Sequence, residues 1–237
     1  RIRTRNRVGK LNISFVPGAS SLVADAGGSN YIAYRMVLRS TNTNVNNAQI
    51  LSLKFTTENI ANAGLVPNTV LAKVKVQQAG SPIVYTSDAT IEAAGSTVLL
   101  DLSTSGLVVP AATSITLDMR VGILPATVVT NFHLAIASNA HIAARDQILS
   151  TPVTNFPATG FTYPMRGQAI EIARRFEIVH GCSANAGNWV GVQVRVVNLN
   201  GRVLTNYTGI VTLDSTRGSV TNVDWTNRTG AGPFTND

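Results

Sequence analysis

The chain has 237 residues, of which 44% are apolar and 13% charged, with a formal net charge of +7. Apolar content on that scale is enough for a sizeable core and excludes a disordered chain, which combines low hydrophobicity with high charge. Five of the 19 basic residues fall in the first ten positions, which leaves 14 against 12 acidic ones over the remainder, so the body of the chain is nearly neutral and not a broadly basic nucleic-acid binder.

Those five are Arg1, Arg3, Arg5, Arg7 and Lys10. In extended backbone the four odd-numbered arginines share one face, a stripe suited to polyanions or to the acidic surface of a neighbouring subunit. Residues 1–9 therefore read as a basic arm or as the end of a preceding domain. No aromatic residue interleaves with the arginines, as a single-strand nucleic-acid binder would want.

Apolar runs downstream are short, rich in Val, Ile, Leu and Thr, and closed by Gly, Asn, Pro or Ser, which predicts strands and turns. Strands are expected at residues 10–16, 31–38, 50–57, 70–77, 83–86, 97–102, 114–121 and 131–137. Alternation places Leu51, Leu53 and Phe55 on a core face against Ser52, Lys54 and Thr56. It does the same for Ile115, Leu117 and Met119 against Thr116, Asp118 and Arg120, and for Val74 and Val76 against Lys73 and Lys75. Gly80-Ser81 before Pro82 fits a hairpin turn. Residues 10–150 thus read as one β-sandwich.

Pro152, Pro157, Pro164, Gly160 and Gly167 mark residues 151–170 as a Pro/Gly-containing linker. Strand-like text resumes at 175–179, 189–197, 207–213 and 220–225, with Asn200-Gly201 as a hairpin turn. Residues 171–237 are then a second, immunoglobulin-like sandwich. Four strands fall short of the roughly seven of that fold, so this domain is expected to be incomplete. The fold class is all-β, with sandwiches in tandem.

Residues with chemical potential are scattered. Cys182 lies two positions from His180, but nothing nearby completes a catalytic set, and a free cysteine most often packs as a small apolar residue. His133 and His141 lack metal-ligand spacing, and His133 reads as a hydrogen-bonded strand residue. No two of the 12 carboxylates stand at i and i+2, so no calcium loop or local acid pair is written. No cofactor, metal or small-molecule substrate is expected, and no apolar run reaches the roughly 18 residues of a membrane helix. Asn12, Asn206 and Asn227 each open an Asn-x-Ser/Thr triplet, the acceptor pattern for N-linked sugar. Trp189 and Trp225 could serve a glycan platform or a core.

The run from Trp189 to Leu213, ending Val-Leu-Thr-Asn-Tyr-Thr-Gly-Ile-Val-Thr-Leu, resembles the immunoglobulin-like repeats of large bacterial surface proteins. The stretch from Leu107 to Val121, and 131–138 after it, is similar to strands of repeats in S-layer and other cell-wall-associated proteins. The resemblance implies a secreted, non-enzymatic component of a cell-surface lattice or fibre. Such a protein would self-associate and could dock on anionic cell-wall or surface polymers. Two other readings stay open: a viral capsid protein whose arm binds genome, and a glycan-binding adhesin.

Overall fold

The structure, a computed structural model, describes residues 9–16, 21–41, 46–86, 90–91, 94–180, 192–205, 207, 211–212 and 234–235. In chain order the strands are β1 (Lys10–Phe15), β2 (Leu22–Asp25), β3 (Tyr31–Ser40), β4 (Ala48–Glu58), β5 (Leu71–Gln78), β6 (Val84–Thr86), β7 (Thr90–Ile91), β8 (Thr97–Asp101) and β9 (Val108–Val109). They continue as β10 (Ser114–Ile123), β11 (Asn131–Ile136), β12 (Ile142–Asp146), β13 (Thr154–Pro157), β14 (Met165–Arg166), β15 (Ile170–Ala173), β16 (Arg175–His180) and β17 (Val192–Val197). The expected strands between residues 10 and 137 all form. The additional ones are two to five residues long, too short for a period to show.

Two sheets face each other. One has the order β13-β1-β3-β10-β5-β6; the other runs β2-β15-β11-β4-β8-β7, with β9, β12 and β14 joined beside β4 and β11. A single apolar cluster fills the space between them, drawing Leu11, Ile13, Tyr34, Met36 and Leu38 from one sheet and Ile50, Leu53, Phe55, Leu100 and Phe132 from the other. The Tyr34 and Phe55 rings meet across the gap with centroids 5.4 Å apart at 60°, a tilted arrangement that aromatic quadrupoles favour. The fold is thus an all-β sandwich, with its core where period-two alternation places it.

Leu51 departs from that alternation. Along β4, Ile50, Leu53 and Phe55 are buried while Leu51 is only partly so. Across from it, Ala143 pairs with Ser52 and Ala144 with Ile50, so Leu51 is the extra residue of a β-bulge. The bulge resets the phase of the strand, which pure alternation cannot anticipate.

Residues 151–170 are not a linker. β13 adds in parallel to β1 in one sheet; β14 and β15 pair antiparallel with β11 in the other, and β15 also lies parallel to β2. The last strands therefore close both sheets against the first ones, and the sandwich extends through Ala173. Proline misleads here because a short edge strand tolerates it: Pro157 ends β13 at the sheet edge, and the ladder bond beside it is made by the Ala158 N–H to the Ile13 carbonyl at 2.7 Å, so no proline N–H is required. Gly167 is equally structural. Its N–H donates to the Leu134 carbonyl at 2.8 Å, and a Cβ built on it would lie 2.6 Å from the Ala33 carbonyl oxygen and 2.7 Å from the Tyr34 ring. We expect Gly167→Ala to cost about 1–3 kcal/mol, the usual range for overpacking, measured as a lowered urea midpoint with an unchanged m-value.

β16 and β17 form a separate antiparallel hairpin after the sandwich. The turn beyond β17 is built on Asn198, whose Oδ1 accepts the N–H groups of Asn200 and Arg202 at 3.0 Å each. Gly201 takes the left-handed conformation at φ 77° while Asn200 does not. The Asn-Gly pair thus makes a turn with one positive φ, not the two-residue type with two. Val211–Thr212 and Phe234–Thr235 pair in parallel. The expected strand at 220–225 lies outside the described residues.

Candidate functional site

The outer face of the six-stranded sheet carries most of its charge. Burying Val74, Val76, Leu117, Met119 and Val121 turns Lys73 and Lys75 of β5, and Asp118, Arg120 and Gly122 of β10, outward. The register then sets Arg120 opposite Lys75 and Gly122 opposite Lys73, while Asp118 stands opposite Arg35 of β3. Arg39 and Lys10 lie on the same face, because their neighbours Leu38 and Leu11 point into the core. The six strands thus hold Lys10, Arg35, Arg39, Lys73, Lys75 and Arg120 against a single carboxylate, Asp118.

That carboxylate is consumed locally. Arg35 grips it in a fork, Nε to Oδ1 at 2.6 Å and Nη2 to Oδ2 at 2.9 Å, and Arg120 Nη2 stands 3.5 Å away. The Asp118 side chain is 1% exposed beneath them. Hydrogen bonding to Asp118 raises the Arg35 guanidinium above its ordinary range.

Beside this pair a cleft of about 670 Å³ opens between β5, β6, β10 and the loop after β2, with Ser29, Asn30, Lys73, Lys75, Tyr85 and Arg120 among its lining residues. The loop is pinned to the sheet: Arg120 Nη1 donates to the Asn30 carbonyl at 3.2 Å and the Ile123 N–H to the Gly28 carbonyl at 2.8 Å. The Tyr85 hydroxyl donates to Gln78 Oε1 at 2.9 Å, and burial raises its pKa, so it stays a neutral donor. Arg120 Nε is buried without a hydrogen-bond partner. Among the described residues the Lys73 and Lys75 side chains make no hydrogen bond or ion pair. Among the described residues the cleft therefore offers two lysines with no acidic partner and an unused N–H, the equipment for holding an anion.

A second polar cluster sits between β4, β11 and β14. Glu58 Oε2 accepts from Arg166 Nε at 2.8 Å and lies 3.1 Å from His133 Nε2, with His133 buried. Burial alone would raise the Glu58 carboxyl, but the bonds from Arg166 and His133 outweigh it and hold it below the usual range. The cluster clamps three strands together. Asp146 is likewise held low: burial would raise it, but the N–H groups of Leu149 and Ile148 and the Asn46 amide prevail. His141 is lowered, chiefly by burial, with its Nδ1 hydrogen-bonded to the Lys54 carbonyl at 3.0 Å.

These directions set a pH dependence with one sign. A depressed histidine favours the neutral ring, so stability from His141 is full above 6.5 and falls as pH drops through that value. Depressed carboxyls contribute above their unfolded values, 4.5 for Glu58 and 3.8 for Asp146, and that contribution is lost as pH falls further. Urea midpoints taken from neutral pH downward should decline in two stages. In Glu58→Gln the deeper stage should shrink while the shallower one persists.

Of the residues singled out from sequence, Lys10 begins β1 on the cationic face and is exposed. Arg1, Arg3, Arg5 and Arg7 lie outside the described residues, as do Asn206, Asn227, Cys182, Trp189 and Trp225. Asn12 lies within β1, paired on both sides by β13 and β3, and its Oδ1 is buried without a partner. His180 ends β16, exposed. The cleft itself was not anticipated. Alternation already turned Lys73, Lys75 and Arg120 outward, but nothing local says that β5 and β10 become neighbours.

Among the described residues no group of three or more His, Cys, Asp or Glu is placed to hold a metal ion, and no helix is long and apolar enough to cross a membrane. No family model and no curated protein matches the chain. Among solved structures it is similar to the sixth cohesin of scaffoldin B from Acetivibrio cellulolyticus, solved with a Cel5 dockerin, at 12% identity and TM-score 0.33, covering 70% of this chain and 99% of that one. It is also similar to the seventh ScaB type I cohesin from Pseudobacteroides cellulosolvens, at 10% identity and TM-score 0.35, covering 70% and 93%. A family 123 glycoside hydrolase from Clostridium perfringens aligns at 11% identity and TM-score 0.28, covering 68% of this chain and 27% of that one. Superposition at this level is loose, and these likenesses have no bearing on what the chain does.

Proposed function

We propose that the chain is a non-catalytic structural unit of a secreted, cell-surface assembly, in which sandwich domains in series act through domain and subunit contacts. The observation that supports this reading is the stiffness of the junction after the sandwich. Only Arg174 separates β15 from β16, and its N–H donates to the Val197 carbonyl at 2.9 Å. Arg202 of the hairpin turn pairs with Glu171 of β15 at 3.0 Å. Val23 and Ala173 of the sandwich pack with Val196, Leu204 and Tyr207 beyond it. A junction closed by a backbone bond, an ion pair and an apolar cluster has little slack, as a unit that carries tension or keeps a lattice spacing requires.

Contacts between units are expected on faces more than on strand edges. The outer strands β6, β7, β2 and β13 are two to four residues long, and β13 ends in proline, all of which blunts edge pairing. The hairpin offers the better surface: Phe176 and Ile178 are 45% and 59% exposed, and a two-stranded ribbon cannot bury its own side chains. The test is sedimentation velocity and negative-stain microscopy of the natural protein over a range of concentrations. Ordered sheets or fibres, lost in Phe176→Ser/Ile178→Ser, are the expected result; a species that stays monomeric throughout would overturn the reading.

A further inference from the structure

We propose that the cleft between β5, β6 and β10 binds an acidic polysaccharide, with Lys73, Lys75 and Arg120 as the anion-holding residues. Three features argue for a carboxylate- or phosphate-bearing glycan. First, Lys73 and Lys75 meet no carboxylate among the described residues, and the one carboxylate of the six strands is shared between Arg35 and Arg120. Second, Ser29, Asn30 and Tyr85 place hydroxyl and amide groups and one aromatic ring along the same walls, which suits the alternating hydroxyls and apolar ring face of a sugar. Third, the positive charge does not stop at the cleft. It runs diagonally across the sheet through Arg35 to Arg39, which pairs with Ser114 six residues before Arg120, about 20 Å away at strand rise. Register lays these cations along one band of the sheet, so an extended chain would meet several and a single sugar few.

Single-stranded nucleic acid fits less well. Its binders stack successive bases on several rings, and the cleft has one, tethered to Gln78.

The experiment measures binding of the whole chain to polygalacturonate, poly(glycerol phosphate), neutral dextran and single-stranded DNA at low and high salt. One or both acidic polymers should bind, weakening with salt, and dextran should not. Preference between the two identifies carboxylate or phosphate as the anion, and galacturonate monomer should bind more weakly than the polymer. Lys73→Glu/Lys75→Glu should weaken binding about tenfold, since two attractions become repulsions, and Lys73→Gln/Lys75→Gln less so. Both lysines are on the outer face without hydrogen-bond partners, so melting should be unchanged. Replacing Arg1, Arg3, Arg5 and Arg7 with glutamine should leave binding in place. The proposal is overturned if neither acidic polymer binds, if the lysine variants bind as the parent does, if binding follows the four arginines instead, or if DNA binds more tightly than either glycan. Binding without assembly would retain the cleft and remove the structural reading; assembly without binding would do the reverse.

Discussion

Asp118→Ala should lower stability by about 3 kcal/mol, seen as a fall in urea midpoint at constant m-value. Within the six strands Asp118 is the one acid against six cations, and its side chain is 1% exposed. Removing it leaves Arg35 and Arg120 facing each other with no counter-charge, the situation in which breaking a buried pair is costly. Arg35 is 39% exposed and can rehydrate, so the loss falls at the lower end of the 3–5 kcal/mol range for such changes. Asp118→Asn, which keeps the shape and one acceptor oxygen, should lose less. Measuring both separates charge from packing: an Asp118→Asn variant as stable as the parent would mean that the Asp118 charge contributes nothing. The cost should fall in Asp118→Ala/Arg35→Ala, because the pair is coupled and single losses do not add.

Phe55→Ala should have the largest effect of any single truncation in the sandwich, about 3–5 kcal/mol. The ring is fully buried at the centre of the sheet interface and stacks on Tyr34, which is also buried. Truncation removes the apolar transfer energy and leaves a cavity that two hydrogen-bonded sheets cannot collapse to fill. For a domain of this size each kcal/mol shifts Tm by about 2–4 °C, so a fall of about 10 °C or more is expected in calorimetry. Phe55→Leu should recover most of it. A fall of only 1–2 °C would show that the interface is loosely packed and that the two sheets do not share one rigid core.

Local pattern carried the strands. In β3, β5 and β10, a period-two rhythm of buried Val, Leu, Met and Tyr alternating with charged residues is a property of neighbouring positions, and neighbouring positions are what a sequence displays. Gly80 and Gly201 were legible for the same reason, since a turn is a local event. Leu51 was misplaced because its bulge answers to β12, nearly a hundred residues away. Residues 151–170 read as a linker because proline and glycine break pattern, whereas their pairing with β1, β2 and β11 depends on a surface assembled by the rest of the chain.

The site divides in the same way. That Lys73, Lys75, Asp118 and Arg120 point outward follows from alternation alone, and so does the concentration of arginine in the first seven residues. That Lys75 stands beside Arg120, that Arg35 takes up Asp118, and that Glu58 gathers His133 and Arg166 are matters of strand order and register. Pairing energy is summed over whole strands and a shared core, so no short window of residues contains it. The orientation of each charge was therefore written locally, and the company it keeps was chosen by the fold.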